Sequence, residues 1–100
     1  MIKVDVQFML YLALLPDLNM GKKTITIEIN EGATFGELLK ELVEKYGPSL
    51  SKEIYDPQRQ TLRDMVMVTI NGQLLHTLNG LNTVLQQGDR VIFVPLVMGG

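Results

Sequence analysis

The sequence contains no cysteine among its 100 residues. The chain therefore holds no disulfide, no thiolate ligand for a metal ion and no thiol nucleophile. Whatever chemistry this chain takes part in must be carried by another kind of group.

Histidine is almost as scarce, because His76 is the only one. No neighbouring histidine, cysteine or pair of carboxylates accompanies it, so the residues lack the pattern of a metal site or of a nucleophile with its base. We predict no metal site, and we interpret His76 as an ordinary residue at the end of a strand. The chain is not expected to be a catalyst by itself.

An excess of charge of one sign is also missing. Nine Lys and Arg residues oppose eleven Asp and Glu residues, which gives a formal net charge of −2. This balance offers no electrostatic footprint for nucleic acid, so we predict no nucleic-acid partner. Lys52, Arg59 and Arg63 are interpreted as part of a solvated loop rather than as a basic patch for an acidic partner.

No hydrophobic run is long, and the unbroken apolar stretch of residues 8–15 is only eight residues. This stretch is too short to span a bilayer, which takes about 20 residues, and no small-residue cleavage site follows it. We therefore predict no membrane partner and a cytoplasmic location.

The remaining composition is that of one folded domain, with 46% hydrophobic and 20% charged residues. Apolar and polar residues alternate over residues 2–8 and again over residues 24–29. This period of two indicates two strands, each with one buried face. Residues 16–23 are rich in turn formers, so the two strands are predicted to form an antiparallel hairpin.

A helix is predicted after the second strand. Thr34 and Glu37 have the spacing of a capping box, which satisfies backbone donors at the start of a helix. Apolar residues then recur at helical spacing and form one stripe along about three turns. The stripe consists of Phe35, Leu38, Leu39, Leu42, Val43 and Tyr46. Gly47-Pro48 is expected to end the helix.

The second half of the chain predicts three further strands. Residues 48–63 are irregular and are interpreted as a long loop with room for one short helical turn. Residues 66–70 alternate as a strand, Asn71-Gly72 is a strong hairpin turn, and residues 73–76 form the short returning strand. Residues 91–96 form the final strand. The order favours a single helix across one face of a mixed sheet, with the last strand beside the first.

The sequence stops at Gly99-Gly100, directly after the apolar run of residues 91–98. A glycine carboxylate has no Cβ beside it, so it can pass through a narrow cleft and lie against a nucleotide phosphate at little steric cost. We interpret residues 1–95 as the domain and residues 96–100 as a flexible tail that presents Gly100. The alternative is a frayed terminus without function.

Several short motifs extend over nearly the whole chain in a fixed order. They are Met1-Ile2-Lys3-Val4, Glu31-Gly32-Ala33-Thr34 leading into Gly36-Glu37-Leu38-Leu39, Ile70-Asn71-Gly72, and Gly88-Asp89-Arg90-Val91 followed by Pro95 and Gly99-Gly100. In these motifs the chain resembles the MoaD/ThiS family of ubiquitin-like sulfur carriers, most closely the molybdopterin synthase small-subunit type. The resemblance implies an α+β, ubiquitin-like β-grasp fold with a mixed four- to five-stranded sheet and one main helix.

The resemblance also implies a reaction. A ubiquitin-activating-type adenylyltransferase would use ATP to convert the Gly100 carboxylate into a mixed anhydride with AMP, and a sulfur nucleophile would displace AMP. The resulting thiocarboxylate would donate sulfur to a pterin bound on the molybdopterin synthase large subunit, on the way to the molybdenum or tungsten cofactor. The carrier would then need no bound cofactor of its own.

Docking of such partners needs an apolar surface, and the final strand has more apolar residues than one face requires. We predict that Val91 and Phe93 point inward, while Ile92 and Val94 form an exposed patch with Met67. The patch would continue into the tail through Leu96, Val97 and Met98. The alternative is that residues 48–65 cover this face.

Three other functions remain open from the sequence. Gly100 could form an isopeptide bond with lysines of target proteins, as a ubiquitin-like modifier does, or it could supply sulfur for the thiazole of thiamine. A structural or interaction domain without a covalent role is the last alternative.

Overall fold

The computed structural model describes residues 1–9, 24–46 and 48–96. The elements in chain order are β1 (Ile2–Phe8), β2 (Thr24–Ile29), α1 (Phe35–Tyr46), α2 (Pro48–Ile54), β3 (Tyr55–Asp56), β4 (Thr61–Leu62), β5 (Val66–Ile70), β6 (Gln73–Leu74), two 3₁₀ turns (Leu75–Thr77 and Gly80–Asn82) and β7 (Arg90–Pro95). The predicted turn-rich connection of residues 16–23 and most of the apolar run of residues 8–15 lie outside the described residues.

The main sheet of the described chain has five strands in the order β2-β1-β7-β5-β6. The predicted hairpin is confirmed, because β1 and β2 pair antiparallel with Ile2 opposite Ile29 and Gln7 opposite Thr24. Strand β7 lies parallel to β1 and antiparallel to β5. The last strand is therefore central and beside the first, as predicted.

Helix α1 packs its apolar stripe against one face of this sheet. Its residues Phe35, Leu38, Leu39 and Leu42 are buried. The ring of Phe93 lies 5.2 Å from that of Phe8 and 5.9 Å from that of Phe35, measured between centroids. Aromatic pairs at these distances add to the energy of apolar burial. Phe93 thus joins the helix to the two central strands.

The capping box at the start of α1 is confirmed. The Glu37 N–H donates to Thr34 Oγ1 at 3.3 Å, and the Thr34 N–H donates to Glu37 Oε1 at 3.4 Å. These reciprocal bonds satisfy donors that the helix itself leaves free. These bonds of the capping box mark the start of the helix directly after Thr34.

Two of the sequence motifs meet in space although they are far apart in the chain. Asn71 Nδ2 donates to Asp89 Oδ1 at 2.8 Å, and the Arg90 N–H donates to Asn71 Oδ1 at 2.9 Å. The other carboxylate oxygen of Asp89 accepts the Gln86 N–H at 2.8 Å. Asn71 and Gly72 both have positive φ, at 52° and 85°, as the predicted hairpin turn requires. The two turns therefore hold β5 and β7 in register.

The prediction of a long loop with room for one short helical turn over residues 48–63 is only partly correct, because the segment is more ordered than expected. Helix α2 occupies Pro48–Ile54, and β3 and β4 form a small hairpin of their own. Leu50 and Ile54 stand one helical turn apart, and both are fully buried in the core beside α1. The hairpin turn is held by Asp56, whose Oδ1 accepts the N–H groups of Gln58 and Arg59. Tertiary burial of two residues thus stabilises a helix that is too short to be stable alone.

The predicted returning strand over residues 73–76 is shorter than expected. Strand β6 ends at Leu74, and the chain turns into the first 3₁₀ turn, where Thr77 Oγ1 donates to the Leu74 carbonyl at 2.7 Å. His76 consequently lies in this turn rather than at a strand end, with its side chain exposed. The local bond of Thr77 competes with further strand pairing.

Candidate functional site

The two faces of β7 have opposite environments. Val91 and Phe93 are fully buried against the core, whereas Ile92 and Val94 are half-buried on the face away from α1. The predicted orientation of this strand is confirmed. The apolar residues of β7 that the core does not use are therefore displayed on the outer face of the sheet.

Neighbouring strands extend this surface into an outer apolar patch. Met67 of β5 stands opposite Val94, and the Met9 N–H donates to the Phe93 carbonyl at 3.0 Å, which places Met9 beside the end of β7. We define the outer apolar patch as Met9, Met67, Ile92, Val94 and Leu96. Met9 and Leu96 are 37% and 44% exposed. The patch thus collects apolar side chains from β5, β7 and the residues that follow β1 and β7.

Met9 was missed in the sequence-based patch. The strict alternation of Ile2, Val4, Val6 and Phe8 inward places the residue after Phe8 on the outer face, so the signal was present. Two predicted members, Val97 and Met98, lie outside the described residues.

Residues 48–62 direct their buried apolar side chains toward the helix side of the sheet. Leu50 and Ile54 belong to the same buried cluster as the stripe of α1, whereas Met67, Ile92 and Val94 do not. The alternative that this segment covers the outer face is therefore not supported.

The outer face is polar at its other end. Lys3 stands opposite Glu28, and Asp5 stands opposite Arg90 and accepts a hydrogen bond from Thr26 Oγ1 at 3.0 Å. Because β1 and β7 run parallel, their amino ends carry these charges and their carboxyl ends carry the apolar patch. The apolar end is the end from which the chain continues toward Gly100.

Leu96 marks the point where the chain leaves the sheet. Its N–H donates to the Met65 carbonyl at 2.7 Å, one position beyond the last strand pair. The predicted reactive residues Gly99 and Gly100 lie outside the described residues, so the expected tail of residues 96–100 stays a prediction beyond Leu96. Residues 97–100 can extend at most about 14 Å from this point.

The basic side chains of residues 52–63 do not form a free patch. Arg59 Nη1 lies 3.1 Å from Asp64 Oδ1, and Arg59 Nε lies 3.9 Å from Asp56 Oδ2. Arg63 Nε donates to the Lys52 carbonyl at 2.6 Å. The charge of Arg59 is thus offset by two carboxylates, and the Arg63 guanidinium is hydrogen-bonded to a backbone carbonyl.

The described residues contain no cluster of three or more His, Cys, Asp or Glu side chains that could hold a metal ion. None of the helices in residues 24–46 and 48–96 is long and apolar enough to cross a membrane. What this part of the chain presents is an apolar patch beside the start of the C-terminal residues.

Comparison with known proteins connects this geometry to a family. A model of the ThiS family matches residues 10–100. Small archaeal modifier protein 3 of Haloferax volcanii is 32% identical over 81 residues, which cover 81% of this chain and 85% of that protein.

Solved structures confirm the fold. The crystal structure of SAMP1 from Haloferax volcanii has a TM-score of 0.79 at 24% identity and covers 98% of this chain and 99% of that one. Urm1 from Trypanosoma brucei has a TM-score of 0.75 at 24% identity and covers 98% and 95% of the two chains. The ubiquitin-like β-grasp prediction is correct, and the chain belongs to the ThiS family, a group of small ubiquitin-like sulfur carriers and modifiers.

Proposed function

We propose that this chain works through the carboxylate of Gly100, which a partner adenylyltransferase activates with ATP. The observation that carries the proposal is the position of the outer apolar patch. It lies at the end of the sheet where β7 leads, through Leu96, toward Gly99-Gly100. A partner that docks on this patch is in reach of the Gly100 carboxylate.

The chemistry needs no base or metal on this chain. A Gly100 carboxylate oxygen attacks the α-phosphorus of ATP in the partner's site, and pyrophosphate leaves. A hydrosulfide-level nucleophile then displaces AMP, which yields a thiocarboxylate, AMP and a proton. This division of labour agrees with the scarcity of histidine and the absence of cysteine in the sequence.

The thiocarboxylate is proposed to donate its sulfur to a pterin held by a molybdopterin synthase large subunit. Support for this fate is the resemblance of the sequence motifs to the molybdopterin synthase small-subunit type. Here the chain is a carrier subunit of a sulfurtransferase complex, and catalysis belongs to the partners.

A protein modifier is the second candidate function. It is favoured by the 32% identical relative, whose name describes a modifier protein. In this case the activated Gly100 carbonyl is attacked by the amine of a target lysine, AMP or a thiol leaves, and an isopeptide bond forms. Sulfur transfer to thiazole is a third candidate function, because the matched family is the ThiS family.

Mass spectrometry separates these fates. The chain is co-expressed with the adenylyltransferase and sulfur source of its own organism, and its intact mass is measured. We expect the mass increase of one oxygen-to-sulfur exchange, located at Gly100 by fragmentation. Expression without the adenylyltransferase is the control. Gly-Gly remnants on lysines of other proteins, without thiocarboxylate, would instead establish the modifier.

A second test addresses the outer apolar patch. Val94→Asp places a carboxylate in the centre of the patch, and burying it under a partner without a counter-charge is unfavourable. We expect the KM of the adenylyltransferase for the chain to rise about 100-fold, which corresponds to about 2.7 kcal/mol. The melting temperature should fall less than after a substitution in the buried core, because Val94 is only half-buried on the outer face, and circular dichroism checks that the variant is folded.

Val84→Asp is the matched control for this test. Val84 is 49% exposed and bridges to Thr34 at the start of α1, away from the outer face. The Val84→Asp variant introduces the same charge, so equal increases in KM for both variants would point to overall charge rather than to the patch.

A further inference from the structure

A groove lies along the edge of β5, beside the outer apolar patch. Its volume is about 390 Å³, and its walls come from β4 on one side and from β6 with the 3₁₀ turns on the other. Val66 and Val68 line it from β5, Leu62 and Leu74 from the two walls, and Met67 and Leu96 connect it to the patch.

Strand β5 is only partly paired on this side. Strand β6 stands opposite Thr69 and Ile70 alone, and it ends at Leu74. Leu75, which would face Val68 in a longer strand, begins the first 3₁₀ turn, where its carbonyl accepts the Leu78 N–H at 3.0 Å. The segment Val66–Val68 therefore forms an open edge toward the groove.

The direction of the backbone groups follows from the ladder on the opposite side. The Leu96 N–H donates to the Met65 carbonyl, and the Asn71 N–H donates to the Arg90 carbonyl. In an antiparallel pair such bonds recur at every second residue. Odd-numbered residues of β5 thus bond β7, and the Val66 carbonyl and the Val68 N–H point into the groove. The Val66 N–H is already bonded to the Arg63 carbonyl at 3.1 Å.

The two residues that carry these groups are buried. Val66 and Val68 are only 8% and 3% exposed. A buried backbone donor or acceptor without a partner costs roughly as much as a lost hydrogen bond. One acceptor and one donor, two residues apart on the same strand edge, are the groups that an added strand bonds. The groove thus offers a strand both hydrogen bonds and apolar walls.

We propose that this groove receives an extended apolar segment of the enzyme that acts on Gly100. The inference rests on the proposed function. The segment adds to β5 opposite Met67, bonds the Val66 carbonyl and the Val68 N–H, and places an apolar side chain against Leu62 and Leu74. It recognises the carrier through backbone and apolar contacts rather than through charge.

The length of chain beyond Leu96 argues for this occupant. Residues 97–100 extend at most about 14 Å, so an enzyme that encloses Gly100 is held that close to Leu96. Leu96 also lines the groove. The body of the enzyme is therefore brought over the groove whenever it binds the Gly100 carboxylate.

Amide hydrogen exchange of the full chain tests the inference directly. Exchange at Val68 is followed by NMR, with the adenylyltransferase of the same organism as the probe. We expect protection of the Val68 amide to increase at least about tenfold on binding. The Ile70 amide, which pairs with Gln73 in the free chain, is the internal control and should change less than about twofold.

Two variants give a second readout. Leu74 lines the groove and is half-buried, so Leu74→Asp removes an apolar wall contact and is expected to raise the KM for the chain at least about tenfold with an unchanged kcat. Val84→Asp, at an exposed residue that does not line the groove, should match the unaltered chain. If Leu74→Asp does not fold, as judged by circular dichroism, the Val68 exchange decides alone.

The outcomes separate this inference from the proposed function. If the enzyme adenylates the unaltered chain but Val68 gains no protection and Leu74→Asp has no effect, the groove inference is wrong and the proposed function still stands. Failure of the enzyme to adenylate the unaltered chain overturns both. If protection at Val68 rises with the concentration of the chain when no enzyme is present, the groove binds a second copy of the chain, and the inference is also wrong.

Discussion

Deletion of Gly99 and Gly100 is expected to abolish adenylation and to leave the melting temperature of the chain unchanged. The shortened chain ends in a carboxylate at Met98, about 7 Å short of its original position and with a side chain beside it. That carboxylate does not reach a phosphate at the bottom of a narrow cleft. ATP-pyrophosphate exchange with the adenylyltransferase measures the loss, and thermal unfolding measures stability.

Stability should survive this deletion because of where the core lies. The buried cluster of the described residues extends from Ile2 to Phe93 and closes before the chain reaches residues 99 and 100. Gly100→Ala is an informative companion, since it keeps the length and adds one Cβ at the carboxylate. We expect it to slow adenylation without abolishing it. Adenylation of the deletion variant at the full rate would contradict the role of Gly100.

Phe93→Ala is expected to destabilise the chain by about 3–5 kcal/mol. Phe93 is fully buried and its ring contacts those of Phe8 and Phe35, so its removal leaves a cavity between the helix and the two central strands. This loss is a large part of the total stability of a small domain, which is roughly 5–15 kcal/mol. Urea denaturation followed by circular dichroism measures the difference.

Ile92→Ala is the matched control, because Ile92 is the preceding residue of the same strand and is half-buried on the opposite face. We expect it to cost less than about 1.5 kcal/mol, since fewer of its methyl groups are removed from water. If both variants lost the same free energy of unfolding, the two faces of β7 would not differ in burial as described.

Local patterns were sufficient to predict the elements that form the body of the fold. The alternation in Ile2–Phe8 and Thr24–Ile29, the stripe of α1 and the Asn71-Gly72 turn each depend on contacts within a few residues. For the same reason the spacing of Thr34 and Glu37 was enough to identify them as a capping box. Such elements carry their signal in their own spacing.

The segment of residues 48–62 shows where local patterns fail. Leu50 and Ile54 supply only one helical repeat, which is too little to distinguish a helix from a loop. Their helix exists because α1 and the sheet bury both side chains. The groove along β5 was equally hidden, since it depends on β6 ending at Leu74 through a bond from Thr77.

The candidate site combines both kinds of information. Excess apolar residues in β7 predicted an outer surface at Ile92 and Val94, and the Gly99-Gly100 pair suggested the reactive group. Met9 and the groove could be identified only from the pairing of β1, β5 and β7 in the folded sheet.

By itself, the sequence determined that this protein has a main mixed sheet with one main helix across it and that no cysteine chemistry is available to it, and it suggested the glycine pair as the reactive group. Periodicity and composition are local properties, so they can be deduced from neighbouring residues. Tertiary structure alone decided that the apolar patch, the open edge at Val68 and the exit of the chain at Leu96 lie together. That proximity joins strands far apart in the chain, and only the packing of the whole core places them next to one another.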